Sequence, residues 1–165
     1  MRYAGIHASV LLIGALGCAE NVAAPMPDPP GPLPSWMSAT AEGEAWNPFT
    51  VTARREGNVI VFVGDAWPDG ESTLTIRLYV RQDVGLGPQE IGASSVPAAD
   101  VIFRPWYTEA QAWTASGANG SGTLTLETLT ADRATGTFSF TATARTPATN
   151  PQTYRVTKGS FSVRF

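Results

Sequence analysis

The chain has 165 residues, about one domain's worth, with 15% charged residues, 16 Gly, 13 Pro and a net charge of −3. A pI near 5.1 leaves no basic surface to neutralise phosphates, which argues against nucleic-acid binding. The only His is His7 and the only Cys is Cys18, so beyond residue 18 no imidazole or thiol can act as base, nucleophile or soft metal ligand.

Arg2 supplies a minimal positive start, followed by an apolar run from about Ala4 to Leu16. The run is shorter than the roughly 20 residues of a membrane-crossing helix and ends on small residues, which is the grammar of a secretory signal peptide. It closes on Ala15-Leu16-Gly17-Cys18. That segment resembles the lipobox of bacterial lipoprotein precursors. The resemblance implies cleavage before Cys18 and attachment of acyl chains to its sulfur and its new amino group. Each buried methylene contributes about 0.8 kcal/mol, so two or three chains suffice for stable anchoring. Ala19 resembles the outer-membrane sorting pattern, which places the mature protein on the outer membrane if the host has two membranes. An exported domain with no second Cys has to be stable without disulfides.

Residues 19–35 read AENVAAPMPDPPGPLPS, with Pro at 25, 27, 29, 30, 32 and 34. Proline lacks a backbone donor and presets φ, so this stretch predicts an extended tether and neither helix nor sheet. A docking peptide for an SH3-like partner is the rival use of such a segment. The predicted organisation is a signal peptide over 1–17, a lipidated Cys18 and Pro-rich tether over 18–35, and a folded domain over 36–165.

From Trp36 onward the apolar period is two, not 3.6. Phe49, Val51 and Ala53 alternate with Thr50, Thr52 and Arg54. Val59 to Val63 is apolar on both faces, as in a central strand. Leu74, Ile76, Leu78 and Val80 alternate with Thr73, Thr75, Arg77 and Tyr79. The same pattern recurs at Leu124 and Leu126, from Phe138 to Ala144, and at Phe161, Val163 and Phe165. Gly57-Asn58, Pro68-Asp69-Gly70, Gly117 to Gly122 and Asp132 to Gly136 separate these runs with turn-forming residues. Gln82 to Val101 reads as a long irregular connection with one short strand near Ile91, Pro105 to Gln111 as a loop or single helical turn, and Thr157-Lys158-Gly159 as a turn. The expected fold is all-β, an antiparallel β-sandwich, with a closed or partly open β-barrel as the alternative.

TAEGEAW (40–46), SGTLTLETL (121–129), ATGTFSFTA (134–142) and VTKGSFSVRF (156–165) together resemble a family of small, functionally uncharacterised envelope lipoproteins. The resemblance implies an all-β lipoprotein domain and carries no catalytic residue.

Neither a GxxxxGK loop nor a strand–GxGxxG–helix unit is present, and no cofactor or metal is expected. A Ser-Lys pair would have to use Lys158. Asp65, Asp69 and Glu71 crowd one turn without the spacing of a calcium loop, and read as turn formers. Trp67, Trp106, Tyr107 and Trp113 lie in or beside predicted connections. They suit either stacking against sugars or a partner, or closing the ends of the core. Trp36 and Trp46 read as structural. The expected role is a non-catalytic binding or structural module of the cell envelope, partnered by the membrane and by a glycan or an envelope protein. A carbohydrate-binding module is the alternative, and a carboxylate-only enzyme comes third.

Overall fold

The computed structural model describes residues 33–92, 96–105, 108–146, 149 and 151–165. Residues 33–165 form one compact unit. It contains eleven strands: β1 (Trp36–Ala41), β2 (Glu44–Trp46), β3 (Thr50–Glu56), β4 (Val59–Ala66), β5 (Ser72–Arg81), β6 (Gly87–Ile91), β7 (Ala98–Pro105), β8 (Gln111–Ala115), β9 (Ser121–Leu129), β10 (Arg133–Ala144) and β11 (Thr153–Arg164). All pairings are antiparallel, in the order β2-β1-β11-β10-β8-β7-β5-β4-β3, with β9 on β10 and β6 on β9. The fold is the all-β class that the alternation predicts.

The sheet curls into a half-barrel because β10 serves two neighbours along one edge. Residues Ala134 to Thr141 pair with β9, and Thr143 and Ala144 then pair with β8. Beyond that fork the two branches face each other across one core. Phe62 of β4 meets Phe161 of β11 with ring centroids 5.0 Å apart. Ile60, Ile76, Leu78 and Val80 pack there with Leu124, Leu126, Phe138 and Phe140. β2, β3 and β6 each have a single neighbour, so the barrel stays open. These edges carry the usual protection against pairing with another chain: β2 is three residues long, β3 ends in Arg54-Arg55-Glu56, and β6 contains Pro88.

Several local expectations are corrected. Residues 98–105 are a full strand, not part of an irregular connection, and Ala98, Ala99, Asp100, Val101 and Ile102 are all buried. β6 is the short strand expected near Ile91. Arg133 to Gly136 already belong to β10. Thr157-Lys158-Gly159 is no turn: β11 runs straight through it as a bulge, with one extra residue opposite both β1 and β10. Lys158 takes a positive φ of 52° there, and Gly159 next to it passes beneath the Phe138 ring. Phe49 does not join the inward face of β3. It stands 57% exposed just before the strand.

Two tryptophans close the core. The Trp46 indole donates to the Leu74 carbonyl at 3.1 Å and lies over Gly64, where a Cβ would collide with it. The Trp113 indole donates to the Pro151 carbonyl at 2.6 Å and packs on Tyr154, centroids 4.8 Å apart. Each satisfies its single N–H while burying a large apolar surface.

Candidate functional site

Strand direction gives the domain two poles. At one pole lie the start of β1, the β3–β4 and β9–β10 turns and Phe165. There the Arg164 amide donates to Ser35 Oγ at 3.0 Å, and Arg55 donates to the Ala131 carbonyl at 2.8 Å while its guanidinium lies over the Phe165 ring. At the other pole lie the Glu42-Gly43 turn, Pro48-Phe49, the loop from Trp67 to Glu71 and the start of β11. β1 spans the distance between them, six residues at roughly 3.3 Å each.

An open groove of about 400 Å³ occupies the second pole. Its floor is Trp46, Leu74 and Phe103, and its walls include Glu42, Glu44, Asn47, Trp67 and Tyr154. Trp67 is 61% exposed, and its ring lies 4.4 Å from that of Phe49 at a 45° tilt. Together they form an apolar shelf at the groove's rim, the one place where two of the exposed large apolar side chains among the described residues touch as rings. Among the described residues only carboxylates contribute charge to the lining. Glu42 is held in place: its amide donates to the Arg155 carbonyl at 2.9 Å, and its carboxylate accepts the Arg155 amide. Glu44 is exposed, and its carboxylate makes no hydrogen bond or ion pair with any described residue. Burial, and then the charge of Glu42, push the Tyr154 phenol up to about 12, so it stays a hydrogen-bond donor at neutral pH.

The expected site residues separate. Trp67 lies on this shelf. Trp113 does not: it is 1% exposed in the core, so it offers no face to a ligand. Trp106 and Tyr107 lie outside the described residues, as does Cys18. Trp46 is structural, as its flanking position suggests, whereas Trp36 is 45% exposed at the start of β1. Glu42 and Glu44, which flank Gly43 and stand out in the sequence as carboxylates, both line the groove, whereas the sequence reading missed Tyr154 in its lining and Phe49 beside Trp67. Phe49 follows the alternation of β3, which disguises it as a core residue.

Two of the carboxylates expected in the 65–71 turn are engaged locally, and one of them, Asp65, lies in β4 and not in the turn. Asp69 accepts the amides of Glu71 at 2.9 Å and Ser72 at 2.7 Å, and the Ser72 hydroxyl at 2.9 Å. The Glu71 amide, then the Ser72 hydroxyl, hold its pKa below the ordinary carboxylate value. Asp65 accepts the Thr75 hydroxyl at 2.5 Å. Among the described residues no three His, Cys, Asp or Glu side chains cluster to hold a metal ion.

A second polar cluster covers the outer face of β5 and β7. The buried Asp100 carboxylate accepts the Tyr79 hydroxyl at 2.9 Å and pairs with Arg145 at 2.7 Å. Arg77 stands opposite it in the ladder, and its Nε has no hydrogen-bond partner among the described residues. Both Asp100 oxygens are engaged, so the cluster stitches β5 and β7 to the segment after β10 and presents no free base.

No helix among the described residues is long and apolar enough to cross a membrane. Set against family models, curated proteins and solved structures, the chain has no match.

Proposed function

We propose that this chain is a lipid-anchored protein of a bacterial cell envelope, and that its β domain is a binding module without catalytic activity. The leader ending in Leu16-Gly17-Cys18 supports the anchor, and the Pro-rich residues 19–35 support a tether. A single observation carries the binding role: an exposed Trp67–Phe49 shelf borders a groove at the pole opposite residue 33, where the tether would join. A module held at one end and open at the other can present that groove to the surrounding envelope. Of the possible ligands, the shelf favours a carbohydrate, whose ring C–H faces stack on exposed aromatic rings. A hydrolytic role finds less support, because Asp69 is bound within its own turn and Asp65 accepts Thr75 across the β4–β5 ladder.

Two measurements test this reading. Metabolic labelling with palmitate in a bacterial host is expected to label the full chain and to spare Cys18→Ser; an unlabelled native chain overturns the anchor. Tryptophan fluorescence of the full chain in detergent is expected to shift on titration with envelope polysaccharides, and the shift should vanish in Trp67→Ala. A flat titration with every glycan class overturns the carbohydrate reading.

A further inference from the structure

We infer that the groove at the Trp67 pole selects saccharides bearing free amines, that is, amino sugars in their ammonium form; this rests on the carbohydrate reading above. Three features argue for it. The shelf of Trp67 and Phe49 offers stacking area for a pyranose ring, and the face of a tryptophan also attracts a cation. Among the described residues the charged side chains lining the groove, Glu42 and Glu44, are both acidic, so the local field repels acidic sugars and draws ammonium groups. Among the described residues nothing engages the Glu44 carboxylate, while Glu42 keeps one oxygen beyond the one that holds the turn.

The remaining polar lining suits a sugar better than a lysine side chain. Asn47 offers both a donor and an acceptor, and Tyr154 offers a hydroxyl that stays protonated beside Glu42. A lysine tip presents only donors and would leave the Tyr154 donor without an acceptor. A glucosamine ring carries hydroxyls that accept from Tyr154 and Asn47 while its ammonium faces the carboxylates. A groove of about 400 Å³ is also within the usual size range of small-molecule sites.

The test compares two oligosaccharides of the same backbone, β-1,4-linked glucosamine tetramer and its N-acetylated counterpart, by calorimetry on the full chain in detergent. The amine form is expected to bind about tenfold more tightly, a preference that shrinks as salt is raised from about 50 to about 500 mM. Glu44→Gln is expected to weaken the amine form about fivefold and so cut its preference over the acetylated form to about twofold. Trp67→Ala is expected to weaken both by about tenfold or more. Both positions are exposed, and circular dichroism of each variant checks that the fold is intact. Equal binding of the two tetramers, still dependent on Trp67, overturns the amine preference and leaves the carbohydrate reading standing. Binding of neither tetramer, with capture of oligolysine instead, overturns both.

Discussion

At Gly64 the absence of one carbon decides where an indole sits. Trp46 lies against that backbone and donates to Leu74, and a Cβ at position 64 would press into its ring. Gly159 is its counterpart in β11, where a Cβ would stand 2.5 Å from the Phe138 ring. Overpacking of this kind costs about 1–3 kcal/mol, so Gly64→Ala and Gly159→Ala are each expected to lower stability by that order in denaturant unfolding. An unchanged midpoint would mean the rings are not seated as described. Asp69 makes a second residue-scale argument, from charge. Its carboxylate is held below 3.8 by the Glu71 amide first and the Ser72 hydroxyl second. The stability this contributes is complete above that ordinary value and is lost as pH falls through the lower, folded value. Acid unfolding of the native chain is therefore expected to steepen below about pH 4, and Asp69→Asn should remove that part of the slope.

Among the strands, β11 carries the most consequence. Its bulge at Lys158 lets it pair with β10 from Thr153 to Arg164 and with β1 from Val156 to Ser162 while bending around the core. A side chain at a φ of 52° costs about 1–2 kcal/mol, and more if it is β-branched. Lys158→Gly is thus expected to leave thermal stability equal or higher, and Lys158→Val to lower it by about 2 kcal/mol; the reverse ranking would remove the bulge from the account. At the start of the same strand, Tyr154 joins β11 to Trp113 of β8. Its phenol titrates near 10.0 when unfolded and near 12 when folded, chiefly because burial disfavours the phenolate. The stability linked to it is whole below about pH 10 and disappears as pH climbs through about 12. Tyr154→Phe should flatten the alkaline limb of the stability curve and leave the neutral region little changed in slope.

For the molecule as a whole, the branches differ in how deeply they are enclosed. β4, β5 and β7 lie inside the sheet, and Val61, Ile76, Ala99 and Val101 are fully buried within them. β2 and β6 are short edges with one neighbour each. In hydrogen exchange the amides of β4, β5 and β7 are expected to be the slowest and those of β2 and β6 the fastest. Early exchange in β5 would contradict the enclosure. This gradient also suits the groove. Phe103 of β7 and Leu74 of β5 give it a rigid floor, while the turn at Glu42 and the loop at Trp67 form its walls.

The sequence by itself determined the class of fold and most of the long strands. Strict alternation at Leu74–Val80 and Phe138–Ala144, and the doubly apolar Val59–Val63, leave a pleated strand as the only way to sort those side chains. It could not reveal β7, because its small and polar buried residues, Ala98 to Asp100, break the alternation, and Asp100 is tolerated only through Tyr79 and Arg145. Nor could it separate Trp67 from Trp113, since both stand beside Gly- or Ala-containing stretches with similar neighbours. That choice belongs to the tertiary structure. β8 is enclosed between β7 and β10, which buries Trp113, whereas the loop after β4 projects past the end of the sheet and leaves Trp67 in water beside Phe49. Burial depends on which strands are neighbours, and the pairings of β1 with β11, β5 with β7, β6 with β9 and β8 with β10 join strands that do not follow one another along the chain.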